Sequence, residues 1–264
     1  MLKLSVSSMD TYKKCPKQYH FRYIEKPDIE REKHAWTEFG TCAHLILEYF
    51  HNEADQDTPE SEWPSIMKKC FVKAVKEFPY SDINQLQSTP DGDSRMGLEY
   101  LKDIIQDYLN VLRKEGMPRV LGNEIEYSFE IQKDVIIRGY IDRVDIVNDT
   151  TLRVVDYKTS KSPKYLKDFQ LLVYAVALKE KYPHIDTVHG DFVLLKHGCD
   201  RKSFTFKDFD IERCYDLIKD NVELIETDST WAQKPSPLCK FCDYRSLCSA
   251  YGGSNVKTGE EKWV

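Results

Sequence analysis

The fold of this chain is decided by two neighbouring segments, Gly139-Tyr-Ile-Asp-Arg-Val-Asp145 and Val154-Val-Asp-Tyr-Lys-Thr159. Both are rich in β-branched and aromatic residues, and a turn-like segment separates them, so they predict the two strands of a hairpin. Side chains two residues apart on a strand share a face, so Asp156 and Lys158 point the same way. Pairing of the two strands brings Asp142 close to Asp156. The sequence therefore predicts two carboxylates and an ammonium group in one small site.

The spacing of apolar residues around this hairpin changes along the chain. The predicted helices cover about 7–27, 37–51, 61–78, 94–114, 164–182 and 208–228, and the predicted strands about 124–131, 135–147, 152–157, 187–195 and 203–206. Residues 88–93 are predicted to form a loop because they combine Ser, Pro, Gly and Asp. Helices followed by strands and helices in alternation predict an α/β domain, with a mixed sheet and an N-terminal helical part.

The composition supports a folded protein. Of the 264 residues, 41% are hydrophobic, which is enough for a sizeable core. The net charge of −6 does not advertise a polyanionic partner, so any nucleic-acid contact has to come from local positive charge. The apolar runs are too short to cross a bilayer, and the N-terminus lacks the apolar core of a signal peptide. We therefore expect a cytosolic protein whose cysteines stay reduced, with no membrane contact.

The predicted acidic site suits phosphodiester hydrolysis. Mg²⁺ or Mn²⁺ held by carboxylates can activate water and neutralise the charge that develops on the phosphate. A nearby lysine can orient or deprotonate the attacking water and stabilise that charge. Asp-x-Lys alone arises often by chance, and an Asp near a strand end is usually a cap or turn residue. Asp145 is interpreted in this ordinary way, as a rim residue.

Four motifs follow one another in a fixed order, and together they are more specific than any one of them. They are Gly40-x-x-x-His44, the Gly139–Asp145 segment, Asp156-Tyr-Lys158-Thr and Gln170-Leu-Leu-Val-Tyr174-Ala. This series resembles the RecB-like branch of the PD-(D/E)XK nuclease superfamily, over about residues 40–178. The resemblance implies a restriction-endonuclease-like mixed sheet flanked by helices.

The resemblance also implies a role for each matching residue. His44, on a helix, would be a metal ligand together with Asp142, Asp156 and the backbone carbonyl of Tyr157, while Lys158 would serve the attacking water. The side chains of His44, Asp142, Asp156 and Lys158 would be catalytic, whereas Tyr157 would contribute its backbone carbonyl. The branch often carries a glutamate on its first strand, and both Glu124 and Glu126 compete for that place.

DNA contacts are expected beside the catalytic site. The resemblance implies that Gln170 and Tyr174, which are four residues apart on one helix face, border the site and contact the strand. Lys161 and Lys164 follow the catalytic lysine and would bind phosphates. A second group near the N-terminus interleaves basic residues with tyrosines that could stack on unpaired bases, namely Lys13, Lys14, Lys17, Arg22, Tyr12, Tyr19 and Tyr23. A solvated helix face is the alternative for each lysine group.

The cysteines suggest a second metal site. Cys239-x2-Cys242-x5-Cys248 lies in the tail and Cys15 lies near the start, so four thiolates could hold either zinc or an Fe–S cluster. The residues alone do not separate the two metals. The arrangement is similar to RecB-like nucleases that carry a [4Fe–4S] cluster, such as AddB subunits and CRISPR adaptation nucleases, and this resemblance favours the cluster over zinc. The remaining cysteines, Cys42, Cys70, Cys199 and Cys214, are expected to be small buried hydrophobes.

Three parts are expected along the chain. Residues 1–118 would form a helical N-terminal part that contributes Cys15 and His44, and residues 119–230 would form the nuclease core. Residues 231–264 would form an iron–sulfur tail, which packs with the N-terminus as one unit. The expected activity is that of a metal-dependent DNA exonuclease acting on ends or single strands in recombination, repair or replication, with an unknown helicase or recombination partner. Two alternatives remain open: a non-catalytic Fe–S DNA-binding subunit, and an adaptation-type nuclease that trims DNA for an integrase.

Overall fold

The structure is a computed structural model that describes residues 1–29, 35–77, 97–160 and 162–251. The predicted loop 88–93 and the predicted phosphate ligand Lys161 lie outside the described residues. The chain divides into two compact units. The first comprises the described residues within Met1–Glu32, Ile131–Ile137 and Leu217–Val264, and the second comprises those within Lys33–Glu130 and Arg138–Asp216.

The helices and strands lie close to their predicted positions. The strands are β1 (Leu2–Leu4), β2 (Val120–Gln132), β3 (Val135–Asn148), β4 (Thr151–Lys158), β5 (Thr187–Leu194) and β6 (Asp200–Lys207). The α-helices are α1 (Val6–Lys14), α2 (Pro16–Tyr19), α3 (Ala35–Glu53), α4 (Trp63–Glu77), α5 (Leu98–Glu115), α6 (Phe169–Lys181) and α7 (Asp208–Thr227). Short 3₁₀ turns occur at Glu60–Glu62, Pro163–Tyr165, Pro237–Phe241, Arg245–Leu247 and Ser249–Tyr251, and a π-helical turn at His20–Glu25.

The single helix predicted over 7–27 is interrupted at Cys15. This residue is extended (φ −161°, ψ 106°), because the following proline disfavours a helical conformation in the residue before it. Helix α1 begins instead with a capping box, in which the Ser5 side chain accepts from the Ser8 backbone N–H and the Ser8 hydroxyl accepts from the Ser5 N–H. The interruption leaves the cysteine between two helices, where its thiol is partly exposed.

The first unit has its own small core. Strand β1 pairs in parallel with the start of β3, with Leu4 opposite Ile137. The hydroxyl of Tyr12 donates to the backbone carbonyl of Leu224 (2.8 Å). The rings of Tyr19 and Trp231 stack with their centres 5.9 Å apart. Tyr12 and Tyr19 are both buried, so the prediction that they stack on unpaired bases is wrong for these two residues: their rings are part of the core.

The second unit is built on a mixed sheet flanked by helices, as predicted. Strands β3 and β4 are antiparallel, with Arg143 opposite Val155, and they form the predicted hairpin. Strand β4 is parallel to β5, with Asp156 opposite Phe192, and β5 is antiparallel to β6. Strand β2 also pairs with β3. Helix α6 buries all of its residues from Leu171 to Leu178.

Helices α3, α4 and α5 belong to the second unit, which corrects the expected division of the chain. Their apolar faces share a core with Val155, Tyr157 and Val193 of the sheet. Residues 1–118 are therefore not one part, because α3, which carries His44, is held in the same core as the catalytic strands. The described tail residues fall in the same unit as the N-terminal segment that carries Cys15. None of the helices in the described ranges is long and apolar enough to cross a membrane.

Candidate active site

His44 and Asp142 meet at one side of the site. The His44 Nδ1 atom lies 3.4 Å from Asp142 Oδ2, which also accepts a 2.8 Å hydrogen bond from the backbone N–H of Tyr157. Gly40, one turn before His44 on α3, explains how the helix comes so close to β4. A Cβ atom at this glycine would lie 2.9 Å from the Oγ1 atom of Thr159, the residue after β4, so either this side chain or the helix would have to shift.

Asp156 and Lys158 form the other side of the site. The Lys158 ammonium lies 2.5 Å from Asp156 Oδ2 and donates to Gln170 Oε1 at 3.0 Å. The Gln170 amide nitrogen donates to Asp156 Oδ1 at 2.7 Å and to the Tyr174 hydroxyl at 2.7 Å. Both ends of the Gln170 amide are thus engaged with the Asp156–Lys158 pair. All four catalytic residues predicted from the sequence, together with Gln170, lie in one place in the second unit.

Tyr174 has a different role from the one expected. Its side chain is only 5% exposed, and its hydroxyl donates to Asp156 Oδ1 at 3.4 Å. A ring buried to this extent has no surface to offer a DNA strand, so the expected DNA contact is corrected to support of the Asp156 carboxylate. Gln170 is partly exposed and borders the site. Lys164 is exposed on the 3₁₀ turn that precedes α6.

The charges of the Asp142 and Asp156 carboxylates favour the binding of a cation. Burial and the neighbouring charge of Asp156 raise the pKa of Asp142 to about 7. Burial lowers the pKa of His44, so the imidazole is neutral near pH 7 and keeps a lone pair for a metal ion. Two close carboxylates that repel each other and an unprotonated imidazole form a donor set that a hard divalent cation satisfies.

Of the two candidate glutamates on β2, Glu124 is the one whose charge acts on His44. It raises the pKa of His44 in opposition to burial, while burial, followed by the charge of Asp142, raises the pKa of Glu124 itself. Its backbone is in the left-handed region (φ 45°), which interrupts the regular alternation of β2. Simple alternation along the strand could not distinguish Glu124 from Glu126 because residues two apart on a strand share a face.

A buried polar network behind the site was not predicted. The Arg143 guanidinium donates to His51 Nε2 (2.7 Å), the Tyr108 hydroxyl (2.5 Å) and the Tyr157 hydroxyl (2.6 Å). It also pairs with Asp145 at 2.9 Å. Arg143 and Asp145 are 2% and 3% exposed, so the interpretation of Asp145 as a rim residue is wrong. The network joins α3 and α5 to strands β3 and β4, and it holds in place the elements that carry His44 and the two catalytic aspartates.

In the described ranges, no group of three or more His, Cys, Asp or Glu side chains is placed so that it could hold a metal ion, and this includes the four cysteines, so no preformed cage is shown. Such a cage is not the pattern expected for Mg²⁺, which is usually held by one or two carboxylates, with waters and substrate phosphates in the other positions. The Asp142 and Asp156 carboxylates, the His44 imidazole and the Tyr157 carbonyl fit that requirement as a partial ligand set.

The first unit contains a second candidate site. A cavity of about 210 Å³ is lined by all four cysteines that the sequence analysis predicts as metal ligands, Cys15, Cys239, Cys242 and Cys248. Four basic side chains also line it: Lys14, Lys17, Lys234 and Arg245. None of the eight cysteines forms a disulfide. A hydrogen bond from Tyr251 and one from the Ser236 backbone lower the pKa of Cys239, which favours its thiolate form.

The other four cysteines are buried, in agreement with the sequence prediction. Burial raises the pKa of Cys42 and Cys70 to about 11 and that of Cys199 to about 12, so these thiols are protonated and behave as small apolar side chains.

The fold and the cluster of His44, Asp142, Asp156 and Lys158 agree with the comparison with known protein families. The model of the PD-(D/E)XK nuclease superfamily matches residues 3–249. The chain belongs to this superfamily.

The chain resembles a curated phage protein over nearly its full length and longer streptococcal proteins over part of theirs. The "Gene 69 protein" of Mycobacterium phage D29 is 29% identical over 279 aligned positions, which cover 94% of this chain and 96% of that protein. An ATP-dependent helicase/deoxyribonuclease component of Streptococcus agalactiae is 28% identical over 184 positions, covering 67% of this chain and 16% of the relative. Its Streptococcus pyogenes counterpart is 23% identical and covers 79% of this chain and 20% of the relative. The chain therefore spans only a small part of the length of these streptococcal proteins.

Proposed function

We propose that this protein is a Mg²⁺- or Mn²⁺-dependent DNA nuclease, and specifically an exonuclease that acts on DNA ends or single strands in recombination, repair or replication. The observation that carries the proposal is the convergence of His44, Asp142, Asp156 and Lys158 in one site. A protein that kept this fold only as a scaffold for binding would have no need of all four side chains.

The proposed roles follow from the contacts. Asp142, Asp156, His44 and the Tyr157 carbonyl would hold the divalent ion, which when bound would supply a more acidic water and neutralise charge on the scissile phosphate. The Tyr157 N–H fixes the Asp142 carboxylate, and Gln170 and Tyr174 fix Asp156. These contacts keep the two carboxylates in place before the substrate arrives, which lowers the reorganisation needed in the transition state.

Lys158 acts on the water and on the phosphate. Its ammonium is held between Asp156 and Gln170, 2.5 Å and 3.0 Å away, so its position is set by two partners. From there it donates a hydrogen bond to the attacking water and stabilises negative charge on the phosphate oxygens. Because Lys158 is partly exposed, the substrate can approach it from solvent.

DNA is proposed as the substrate on the strength of the comparisons. The streptococcal relatives are named as deoxyribonucleases. The phage relative matches this chain over nearly its whole length. We accordingly propose that the chain acts on DNA in the cytoplasm, whether or not a helicase partner assists it.

The cysteine cavity of the first unit is proposed to hold a [4Fe–4S] cluster, with zinc as the less favoured alternative. Each thiolate of such a cluster binds a different iron atom, so the sulfurs surround a cavity and do not converge on one point. The four basic side chains that line the cavity favour the anionic thiolates and the negative charge of a cluster. The cluster would connect the tail to Cys15 by closing a very long loop, which stabilises a segment with few apolar residues of its own.

The proposal is tested with end-labelled single- and double-stranded DNA in the presence of Mg²⁺, Mn²⁺ or EDTA. We expect degradation with either ion and none with EDTA, and the order of appearance of labelled products reports polarity and the exonucleolytic mode. A purified protein that hydrolyses no polynucleotide with Mn²⁺ present would refute the proposed function. Large internal fragments without mononucleotides or short products would refute the exonuclease assignment alone.

A further inference from the structure

Helix α4 presents two chemically distinct faces. One face is apolar and packs in the core of the second unit, through Trp63, Met67, Cys70 and Ala74. The other face is exposed and carries four lysines, Lys68, Lys69, Lys73 and Lys76. We call these four residues the lysine face. Lys69, Lys73 and Lys76 follow at intervals of four and three residues, so they form one row along the helix.

Ser65, Val72 and Glu77 line the same exposed surface of α4 as the lysine face. Glu77 is the one acidic side chain in this lining, and it accepts a hydrogen bond from the Tyr49 hydroxyl. In the part of the chain that the structure describes, Lys68, Lys69 and Lys76 form no ion pair with a carboxylate. This concentration of positive charge occurs in a protein whose net charge is −6.

The neighbouring helix α5 shows that such a charge pattern is not required for solubility. Its exposed face mixes both signs, with three basic and four acidic residues: Lys102, Arg113, Lys114, Glu99, Asp103, Asp107 and Glu115. Lys102 and Glu99 on this helix are 2.6 Å apart and form an ion pair. Both helices pack in the same core and need the same solvation. The excess of lysines on the exposed face of α4, where Glu77 is the one acidic side chain, therefore calls for another explanation.

One residue of the lysine face contacts helix α3, at a position five residues after His44. The Lys73 ammonium is 3.7 Å from the centre of the Tyr49 ring, and Tyr49 is on α3, the helix that carries His44. The charge of Lys73 also acts on Glu48, one turn after His44, by opposing the effect of burial on the pKa of Glu48. Glu48 in turn raises the pKa of Glu124 beside Asp142. Lys73 is therefore linked to the acidic site by charge, through Glu48 and Glu124.

We propose that the lysine face binds the phosphate backbone of the strand whose adjacent phosphodiester lies in the catalytic site, an inference that rests on the proposed nuclease function. Lysines at successive turns of a helix are about 5.4 Å apart along its axis, which places ammonium groups along a strand at intervals of about one per turn. Lysine is a compact point charge that binds phosphate without reading bases, so this surface holds the substrate independently of sequence.

The test compares two charge-reversed variants of the intact protein. The first, Lys69→Glu/Lys76→Glu, alters the lysine face, and the matched control, Lys102→Glu/Lys114→Glu, alters α5 by the same charge. Binding of a fluorescently labelled single-stranded oligonucleotide is followed by anisotropy in EDTA over a series of salt concentrations. Hydrolysis of bis(p-nitrophenyl) phosphate with Mn²⁺ reports the catalytic centre alone, because this diester is too small to reach α4.

We expect the α4 variant to bind the oligonucleotide roughly tenfold or more weakly than the wild type. The slope of log K against log salt should become shallower by about 1.4, or about 0.7 for each of two lost phosphate contacts. The α5 variant should bind within about twofold of the wild type, and all three proteins should hydrolyse the small diester equally. The uncharged variant Lys69→Gln/Lys76→Gln should fall between wild type and charge reversal, which excludes misfolding as the cause.

Equal oligonucleotide binding and equal salt slopes in the α4 and α5 variants would overturn the inference, as would a partner protein that requires the α4 lysines while DNA does not. Failure of the wild type to cleave either substrate would instead refute the proposed function, so the two outcomes are distinguishable.

Discussion

The Asp142 carboxylate of β3 accepts a 2.8 Å hydrogen bond from the backbone N–H of Tyr157 on β4. The backbone of one strand thus fixes the carboxylate of the other, so the position of Asp142 relative to Asp156 follows from the pairing of the strands. The same hydrogen bond lowers the pKa of Asp142, against the larger opposing effects of burial and of the Asp156 charge. The site is therefore rigid, and its negative charge is costly until a cation arrives.

Replacement of Lys158 should separate catalysis from binding. We expect Lys158→Ala to lower kcat about 10²- to 10⁴-fold, because the ammonium that orients water and stabilises the phosphate is removed. Oligonucleotide affinity in EDTA should change by less than about threefold. Single-turnover kinetics and anisotropy measure the two effects. Lys207→Ala, an exposed lysine at the end of β6, is the matched control, and wild-type-like cleavage by Lys158→Ala would remove the mechanism proposed here.

Metal affinity should depend on pH through Asp142. Its pKa is raised to about 7, so below pH 7 the carboxyl is protonated in the metal-free protein and has to lose a proton before it binds an ion. We expect the Mn²⁺ concentration for half-maximal activity to rise about tenfold for each pH unit below 7 and to level off above it. A requirement for Mn²⁺ that is constant from pH 5 to 8 would contradict the raised pKa.

The same shift predicts how stability changes with pH in EDTA. Because the folded-state pKa of Asp142 is above its usual value near 3.8, the folded state binds more protons than the unfolded state between these limits. The contribution of Asp142 to stability is therefore lost as pH rises from about 4 to 7. The Asp142→Asn variant should lack this loss, so its Tm should exceed that of the wild type by more at pH 8 than at pH 4. Added Mn²⁺ should stabilise the wild type more than the variant.

Tyr174 should affect turnover and not DNA affinity. Its buried hydroxyl supports Asp156 and Gln170, so Tyr174→Phe is expected to lower kcat by about three- to tenfold with KM nearly unchanged. Steady-state kinetics on a single-stranded substrate separate the two constants. A rise in KM with constant kcat would instead support the sequence-based expectation that Tyr174 contacts DNA. Tyr215→Phe, which removes another tyrosine hydroxyl in the same unit that is bonded to Glu180, serves as the control.

The buried Arg143 should be essential to the fold. Arg143→Met leaves the Asp145 carboxylate without its cation in a site that is 3% exposed, which costs about 3–5 kcal/mol. Urea denaturation measures the loss. The double variant Arg143→Met/Asp145→Leu should recover much of it because no unpaired charge is left. If the double variant is no more stable than Arg143→Met alone, the charge pair is not the source of the cost.

The cysteine cavity predicts a coloured protein. Anaerobically purified wild type should be brown and contain about four irons per chain if a [4Fe–4S] cluster is bound. Cys242→Ser should bleach the colour and lower the Tm, whereas Cys214→Ser, a buried cysteine outside the cavity, should keep the colour. A colourless wild type with one zinc per chain would assign the site to zinc instead.

The local sequence predicted most of the secondary structure and the residues that we propose as catalytic. Strands β3 and β4 have a strong β-branched pattern, and the two-residue period of a strand fixed Asp156 and Lys158 on one face. Gly40 and His44 were recognisable by their spacing, and the structure adds that the glycine lets α3 approach Thr159 closely. The cysteine spacing likewise identified the four residues that share a cavity.

Three features depended on contacts that no local pattern contains. The charge interaction of Glu124 with His44 and Asp142 favours it over Glu126, and the burial of Tyr174 turns an expected DNA contact into support for Asp156. The Arg143 network contains hydrogen bonds between residues up to 92 positions apart. Spacing along a chain sets which side chains share a face of one element, so it determined the catalytic set. Packing between elements sets burial and long-range polar contacts, and these decided the pKa values, the supporting residues and the division of the chain into two units.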